Sequence, residues 1–430
     1  MYKTQKCHLK LKKKEFKLIK ALTHRSKDIY NYTLFVVRKY FFENNKYLSY
    51  EQAYHLVKDS EAYRNLPAQI SIMTMKIVDR NMKSFFRLIK ERKKGNYNRP
   101  ICLPKYLPKD SYFVCIFPKQ MFKIEKDRIK LFLNKKYRQE FKIKEFILKL
   151  PKNIIGKEMK EVRIVPKCGG KWFEIEYVYK DNPLGLNLDK NKILSIDLGL
   201  DNFATCIDTN GTTFIIEGRY IKSFNHWYHK KKALLQSIYS KQKIKGGDKL
   251  CKLSRKRKFV INNFMNQAVS YIIKHCLKNS IGKIVIGKLK GIKQNINLGK
   301  KNNQNFCSIP HGLFKQKLKS KCEYYNIEYI EVDEAYSSQT CCKCGIIRKN
   351  NRKYRGLYIC KNCGQVINAD VNGAINILKK VAQESLNGIL GSGCVAQPVR
   401  IRVVPIKGLP NFLQSPSTAW ASHHILRSKM

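Results

Sequence analysis

The stretch of sequence that decides the fold lies near the middle of the chain and reads KILSIDLGLDNFATCIDTNGTTFII (residues 192–216). Three apolar runs in it are separated by a turn at residues 198–201 and by Asn210-Gly211, a dipeptide typical of tight β-hairpins. We therefore expect three successive strands, the first ending at Asp197. Because that first run is continuously apolar, it is predicted to be a buried central strand of a sheet.

The elements that follow predict the class of fold. A long basic helical stretch leads to an apolar strand at Lys283–Ile286, then to more helix and a strand at Tyr329–Val332. Strand–strand–strand–helix–strand–helix–strand is the element order of an RNase H-like nuclease core. We expect an α/β multidomain protein whose core is built from residues 185–337 and 367–383.

The flanking segments have different patterns. In residues 1–184 a first alternating strand precedes helical spacing over about residues 16–95, and short alternating runs follow from Ser111 to Tyr179. This predicts a small β-barrel or sandwich with helices inserted after its first strand. Asp181–Gly185 is expected to be a linker. Residues 384–430 lack periodicity and are predicted to be a flexible basic tail.

The composition points to a polyanionic partner. Lys and Arg total 86 residues against 31 Asp and Glu, a formal net charge of +55. Hydrophobic residues still make up 43% of the chain, which excludes a disordered basic tail protein. A folded protein with this imbalance repels itself unless a polyanion neutralises it, and nucleic acid is the usual polyanion. A generally Lys-rich proteome would explain only part of the excess.

Two basic stretches are candidate nucleic-acid surfaces. Residues Lys230–Lys258 contain 12 Lys or Arg and a single acid, and four aromatic residues lie in or beside them: Trp227, Tyr228, Tyr239 and Phe259. Basic residues follow a phosphate backbone and aromatic rings stack on bases, whereas the alternative is a solvated helix face. The second stretch, Lys290–Lys301, is predicted to be a polar loop suited to phosphate or sugar contact.

Membrane and secretory proteins are disfavoured. No apolar run reaches the roughly 20 residues that a transmembrane helix needs, and the basic N-terminus lacks the apolar segment of a secretory signal. The 15 cysteines are odd in number and mostly lie singly in apolar stretches. This usage indicates a reducing cytoplasm in which a few thiols are reserved for metal, with no membrane partner.

Those reserved thiols are two CxxC pairs. Cys341/Cys344 and Cys360/Cys363 are separated by 15 residues, and each pair is followed by glycine. Four thiolates in tetrahedral array select Zn²⁺, so we predict a zinc ribbon over residues 338–366. All four ligand positions are filled, which makes the site structural rather than catalytic. Cys342 is left unligated; a chance clustering of cysteines is the alternative.

Carboxylates at predicted strand ends suggest a second metal site. Asp197 ends the central strand, and Asp370 opens the helix that follows the zinc knuckle. Phosphodiester hydrolysis by Mg²⁺ or Mn²⁺ needs a cluster of carboxylates, because hard ions prefer oxygen ligands. Taken alone, Asp370 fits a helix cap equally well.

Four segments together resemble the successive signatures of the TnpB family, and they read SIDLGLDNFATC, IVIGKLKG, EAYSSQTCCKCG and INADVNGAINIL. These are transposon-encoded RNA-guided DNA nucleases related to the compact type V CRISPR effectors. The resemblance implies a RuvC-like core with an inserted zinc ribbon, and a wedge β-barrel with a helical recognition insert over residues 1–184. It also implies Asp197 as the first catalytic acid and Asp370 as the last.

The middle acid departs from the family pattern. The family usually has Glu directly after the IVI strand, where this chain has Gly287. Either the enzyme is inactive, or the carboxylate has moved to Glu334, after the strand Tyr329–Val332. Adjacent strands lie about 4.8 Å apart, so a Glu one strand over reaches the same ion. We favour relocation to Glu334, with Asp333 as the second choice because alternation turns its side chain away.

The expected function is therefore an RNA-guided DNA endonuclease with structural Zn²⁺ and catalytic Mg²⁺ or Mn²⁺ at Asp197, Glu334 and Asp370. Its partners would be a guide RNA and target double-stranded DNA next to a short flanking motif. One alternative is a nuclease-inactive, RNA-guided DNA-binding protein that acts like a repressor. Another is a DNA transposase proper, although no tyrosine nucleophile near paired metal-binding histidines supports it.

Overall fold

The computed structural model describes residues 1–244, 246–288, 299–354, 356–382 and 398–403, without the side chains of residues 300–302. The chain divides between Asp181 and Asn182 into two compact units. In the part of the chain that the structure describes, no helix is both long and apolar enough to cross a membrane.

The N-terminal unit combines helices with two antiparallel sheets. Its elements are β1 (Tyr2–Leu9), α1 (Lys13–Asn44), α2 (Tyr50–Val57), α3 (Glu61–Arg64), α4 (Ala68–Lys93), β2 (Cys115–Pro118), β3 (Phe122–Glu125), β4 (Arg128–Leu131), α5 (Lys135–Glu140), β5 (Phe146–Lys149), β6 (Glu158–Lys167) and β7 (Trp172–Lys180). The strands pair in the orders β1-β7-β6-β2 and β3-β4-β5.

Helices α1–α4 lie between β1 and β2 in the chain, where the sequence predicts inserted helices. β1 pairs with β7 along its whole length, from Tyr2 opposite Lys180 to Leu9 opposite Phe173. Across residues 1–181 the pairing gives two open sheets and no continuous ring of strands. The closed barrel therefore stays a prediction.

The second unit is built around one mixed sheet. Its elements are β8 (Asp189–Leu198), β9 (Asn202–Asp208), β10 (Thr213–Glu217), α6 (Arg219–Lys241), α7 (Asp248–Lys278), β11 (Ile281–Gly287), α8 (Lys300–Ser308), α9 (His311–Tyr325), β12 (Glu328–Val332), β13 (Arg352–Tyr354), β14 (Leu357–Ile359), β15 (Val366–Asn368), α10 (Ala369–Lys379) and β16 (Val399–Ile401). The sheet order is β12-β11-β8-β9-β10-β16. From β8 to β12 this is the element order that the sequence predicts.

β8 is buried on both faces, as its continuous apolar run predicts. It pairs antiparallel with β9 and parallel with β11, and β11 pairs parallel with β12. Leu194 and Ile196 belong to the core with α7 and α9, whereas Ile193 belongs to the core with α10. Because side chains alternate along a strand, Asp197 lies on the same face as Ile193, the face that α10 covers.

The C-terminal segment corrects one prediction. Residues 384–430 are expected to be a flexible tail, yet Val399–Ile401 form β16, which pairs in parallel with β10. The physical reason is that β10 would otherwise be the edge of the sheet, with one row of backbone groups unpaired. The rest of the predicted tail lies outside the described residues, apart from the few residues that flank β16.

Candidate active site and metal-binding site

The candidate acids lie on the face of the sheet that α10 covers. Asp197 is on this face by alternation along β8, and α10 packs directly beneath it, with Ser195 Oγ donating to the carbonyl of Ala374 at 2.5 Å. A Cβ at Gly373 in α10 would lie 2.7 Å from Asp197 Oδ2, so glycine leaves room for that carboxylate. Asp370 lies in the first turn of the same helix.

Glu334 occupies the space beside Gly287. Gly287 is the residue that stands where the resemblance to the family implies a glutamate. A Cβ built on Gly287 would lie 1.5 Å from Glu334 Oε1 and 2.2 Å from Cδ. The parallel pairing of β11 with β12 sets Gly287 opposite Val332, and Glu334 follows two residues later on the same side. The side chain of Glu334, which follows β12, therefore fills the space that a side chain at the end of β11 would occupy.

The backup acid, Asp333, behaves as alternation predicts. Asp333 is exposed, and its Oδ1 accepts a hydrogen bond from the backbone N–H of Ala335 at 3.1 Å. Glu334 is half-buried, and its Oε1 is buried and accepts no hydrogen bond from the described residues. Burial raises the pKa of Glu334, and Asp333 raises it further, while Lys315 and Lys380 lower it.

The electrostatics couple the three acids. Desolvation, together with the charges of Glu334 and Asp370, raises the pKa of Asp197 to about 7, against the lowering effects of Arg352 and the backbone N–H of Leu198. A carboxyl beside two other carboxylates holds its proton more tightly, because the negative charges repel one another. A divalent cation would relieve that repulsion.

The three acids do not converge as tightly as the sequence predicts. Among the described residues, the four cysteines are the one group of His, Cys, Asp or Glu side chains whose ligand atoms all lie within 4.8 Å of one another. Asp370 is held by other groups: Arg352 donates to its Oδ1 at 2.8 Å and Asn202 Nδ2 to its Oδ2 at 2.7 Å. An ion pair and an amide hydrogen bond thus compete with the approach of Asp370 to the other acids.

An open cleft with a volume of about 810 Å³ adjoins Asp370. Basic groups in its wall are Arg219, Lys222, His226, Arg352 and Arg400. Cations beside a carboxylate cluster are what a phosphodiester needs in order to approach negatively charged acids. Arg400 belongs to β16, so the cleft includes a residue that the sequence assigns to the tail.

The cysteine site has the spacing of a tetrahedral metal centre. The Sγ atoms of Cys341 and Cys363 lie 3.6 Å apart, as do those of Cys344 and Cys360. Zn–S bonds of about 2.3 Å in tetrahedral array put sulfurs about 3.8 Å apart. The four thiols that the sequence selects therefore fit a zinc ion.

The two knuckles repeat the same backbone pattern. The N–H of Gly345 donates to the carbonyl of Cys341, and the N–H of Gly364 donates to that of Cys360, both at 3.0 Å. The φ angles of the two glycines are +76° and +68°, in the left-handed region where glycine is favoured. The glycines noted in the sequence thus close the two turns that carry the ligands.

The thiol environments favour thiolates at two positions. A hydrogen bond from the backbone N–H of Ile346 lowers the pKa of Cys344 to about 6, and that of Cys363 lowers the pKa of Cys360. Burial raises the pKa of Cys341 to about 12. Since the thiolate is the metal ligand, bound Zn²⁺ would supply the charge that the buried Cys341 needs.

Sequence reasoning missed the residues that join the ribbon to α10. Cys342, predicted to be unligated, is buried and donates its backbone N–H to Asn372 Oδ1 at 2.9 Å. Asn372 and Asn376 both donate to the carbonyl of Thr340, at 2.8 and 2.7 Å. Two asparagines spaced i, i+4 on an otherwise apolar helix are the signal that could have revealed this joint.

The basic stretch Lys230–Lys258 lies on a helical hairpin formed by α6 and α7. No described residue between Lys230 and Val260 is buried. The prediction about aromatic stacking needs correction at Tyr228, which is buried under the guanidinium of Arg257 at 4.9 Å from the ring centroid. Trp227 is 37% exposed, with Lys256 Nζ 4.9 Å from its ring. Most of the second basic stretch, Lys290–Lys301, lies outside the described residues.

Comparisons with known proteins match both halves of this unit. The sequence model of OrfB_IS605, described as "Probable transposase", matches residues 180–293, and that of the Cas12f1-like TNB domain matches residues 311–377. The TnpB-like protein ORF457 of Acidianus two-tailed virus is 24% identical over 365 residues, which cover 76% of this chain and 75% of the relative. The chain is a relative of the TnpB-like proteins. The resemblance that its motifs predict is thereby confirmed.

A second relative is the CRISPR-associated endodeoxyribonuclease Cas12f1 of Sulfoacidibacillus thermotolerans, which is 29% identical over 232 residues. The matched region covers 50% of this chain, and the chain spans about half (53%) of the length of that relative. A cryo-EM structure of a Cas12f1–sgRNA–target DNA complex matches with a TM-score of 0.59 at 17% identity, covering 85% of this chain and 83% of the other. The chain thus shares its mixed α/β fold with this compact effector.

Proposed function

We propose that this chain is an RNA-guided DNA endonuclease whose second unit is a RuvC-like, RNase H-type core. Asp197, Glu334 and Asp370 would be its catalytic acids. The observation that carries the proposal is the position of Glu334, whose carboxylate fills the space beside Gly287 at the end of β11. The carboxylate that is absent at the end of β11 is thereby supplied by the residue that follows β12. This favours an active nuclease site over an inactive one.

The donor set suits hard divalent cations. All three residues are carboxylates, burial and the nearby acids raise the pKa of Asp197, and Glu334 Oε1 is buried without a hydrogen-bond donor among the described residues. Mg²⁺ or Mn²⁺ bound there would supply an activated water and stabilise charge on the phosphoryl group.

The chain's own residues would then orient the substrate and the acids. Arg352 faces the cleft and is 2.8 Å from Asp370 Oδ1, so an incoming phosphate would compete with Asp370 for the guanidinium. Asn202 would keep its hydrogen bond to the other oxygen and hold the side chain in place. Release of Asp370 from Arg352 would free one carboxylate oxygen for a cation.

The guide RNA and target DNA are proposed as partners on grounds of charge and relatedness. The excess of basic residues, the cationic cleft and the part of the α6–α7 hairpin from Lys230 to Val260, in which no described residue is buried, all suit phosphate backbones. The matched Cas12f1 structure contains an sgRNA and target DNA. Base pairing with the guide would supply sequence specificity, and the protein would read a short flanking motif.

The test compares Glu334→Gln with Asp333→Asn in protein purified with its bound RNA. We expect Glu334→Gln to lose Mg²⁺-dependent plasmid cleavage, because a neutral amide is a poor ligand for a hard ion. Asp333→Asn removes a similar charge from an exposed position and should cleave normally. Equal cleavage by both variants would refute the role of Glu334, and absence of bound RNA would refute guidance.

A second candidate function is an RNA-guided DNA-binding protein without nuclease activity. The observation that favours it is Asp370, which is engaged by Arg352 and Asn202 and does not join a tight carboxylate cluster. For this candidate, target DNA would bind in an RNA-dependent way and remain uncut at every Mg²⁺ and Mn²⁺ concentration tested.

A further inference from the structure

We infer that Lys315 and Lys380 are positioning residues that hold the Glu334 carboxylate in the place left open by Gly287. The inference rests on the proposed function, in which Glu334 is a metal ligand. It adds two residues, one in α9 and one directly after α10, that touch neither the substrate nor the ion but fix the backbone around the displaced acid.

Lys380 secures the turn that carries Glu334. It directly follows α10, and its Nζ donates to the carbonyls of Asp333 and Ala335 at 2.5 and 3.2 Å. The residues immediately before and after Glu334 are thus tied to one ammonium group. The turn needs such a tie because Glu334 lies beyond the end of β12, where the strand ladder no longer holds the backbone.

Lys315 secures the other side of the same space. It lies in α9, and its Nζ donates to the carbonyl of Gly287 and lies 3.2 Å from Glu331 Oε2. Its side chain is 11% exposed. This lysine therefore fixes the end of β11, against which the Glu334 carboxylate rests, and it also contacts Glu331 in β12, the strand that precedes Glu334.

Both lysines complement the charge of Glu334 without pairing with it directly. Both ammonium groups bind backbone carbonyls beside Glu334, yet Glu334 Oε1 accepts no hydrogen bond from the described residues. A direct lysine–carboxylate pair would compete with a cation for the carboxylate oxygens. Bonds from the lysines to backbone carbonyls leave those oxygens available while compensating part of the negative charge.

Helix α10 links this arrangement to the other two acids. Asp370 lies in its first turn, Gly373 faces Asp197, and Lys380 reaches the Glu334 turn from its far end. A helix rises 1.5 Å per residue, so Asp370 and Lys380 are about 15 Å apart along its axis. One rigid helix therefore contacts the surroundings of all three acids and sets their relative positions.

The experiment measures Mn²⁺ binding by electron paramagnetic resonance in the full-length protein with its bound RNA. The relevant signal is the Mn²⁺ site that Glu334→Gln removes. We expect Lys315→Met to raise the dissociation constant of that site by about 10–100-fold, the usual effect of losing a residue that supports a metal ligand. The Mg²⁺ concentration for half-maximal cleavage should rise in parallel.

Lys317→Met is the matched control. Lys317 lies in the same helix, and its Nζ donates to Asn266 Oδ1 in α7 at 2.8 Å. Lys317→Met removes the same charge as Lys315→Met but leaves the contacts of Lys315 in place. The Mn²⁺ affinity should therefore not change. If Lys315→Met and Lys317→Met have the same Mn²⁺ affinity as the unmodified protein, the inference is overturned.

Lys380 provides a second, independent pair of variants should Lys315→Met fail to fold. Because Lys380 is exposed, we expect Lys380→Met to weaken Mn²⁺ binding less than Lys315→Met, by several-fold, and Lys380→Arg to restore it. Equal affinities for Lys380→Met and Lys380→Arg would overturn the role of Lys380. Glu334→Gln separates a failure of the proposed function from a failure of this inference. If Glu334→Gln cleaves normally, the proposed function fails. If Glu334→Gln is inactive and Lys315→Met binds Mn²⁺ normally, only this inference is refuted.

Discussion

The cysteine site and the carboxylate site belong to the same unit, and they are assembled in different ways. The cysteines come from two knuckles close together in sequence, each closed by its own glycine and its own backbone hydrogen bonds. The acids come from β8, from the turn after β12 and from α10, and each is placed by packing against another element. The geometry of the cysteine site, a local site, therefore follows from the spacing of its residues in the sequence. The geometry of the carboxylate site, a non-local site, depends on the whole sheet.

The difference also appears in how far each site is formed. The four thiols lie within 4.8 Å of one another, whereas Asp370 remains engaged by Arg352 and Asn202. The two sites meet at α10, whose first turn contains Asp370 and whose Asn372 and Asn376 form hydrogen bonds to the ribbon. A substitution that disrupts the cysteine site should therefore also disturb the carboxylate site. A substitution in the carboxylate site should leave the ribbon intact.

The largest effect is expected from Cys360→Ser. Loss of one thiolate should release zinc and unfold the ribbon, because structural zinc contributes about 10 kcal/mol of binding free energy to folding. Metal analysis and the thermal unfolding midpoint measure the result. Cys342→Ser is the control, since Cys342 contributes its backbone N–H to Asn372. Zinc retained at full occupancy in Cys360→Ser would contradict the ligand assignment.

The next largest effect is expected from Asp197→Asn. DNA cleavage should fall by more than about 100-fold, because even a residue that only supports a metal ligand costs about 10–100-fold. Zinc content, RNA binding and target binding should be unchanged, and a filter-binding assay beside the cleavage assay tests this. Asp201→Asn, in the neighbouring turn and paired with Lys222, should cleave much as the unmodified protein does. Loss of RNA binding in Asp197→Asn would make Asp197 a structural residue.

Gly287→Ala tests the non-local character of the acid site directly. Its Cβ would overlap the Glu334 carboxylate, so we expect cleavage to fall by about 10–100-fold through displacement of a metal ligand. In the Glu334→Ala background the same change should have no further effect, because the space is then empty. Normal cleavage by Gly287→Ala would show that the position of Glu334 is unimportant.

The smallest effect is expected from Arg400→Ala in β16. Arg400 NH1 lies 3.4 Å from Asn202 Oδ1 and 3.7 Å from Glu217 Oε1, and it is exposed at the edge of the cleft. An exposed ion pair contributes about 0–1 kcal/mol, so cleavage should fall only a few-fold. Titration of cleavage against salt concentration provides the measurement, with Arg402→Ala as the control for the other partner of Glu217. A complete loss of cleavage would make the C-terminal strand essential to the site.

The sequence by itself determined the parts of this protein that depend on local spacing. Alternation and turn residues gave the order of strands and helices from β8 to β12, and the two CxxCG segments gave all four clustered thiols. The alternation of β12, continued past its end at Val332, also distinguished Glu334 from Asp333, because the period of two is a property of extended backbone alone.

Only the tertiary structure decided the rest. It brought Glu334 into the space beside Gly287, drew Asp370 toward Arg352, joined the ribbon to α10 through Asn372 and added β16 to the sheet. Each of these contacts joins residues that are distant in the chain. Their energies depend on packing distances and burial, which a pattern of residues along one strand or helix does not contain.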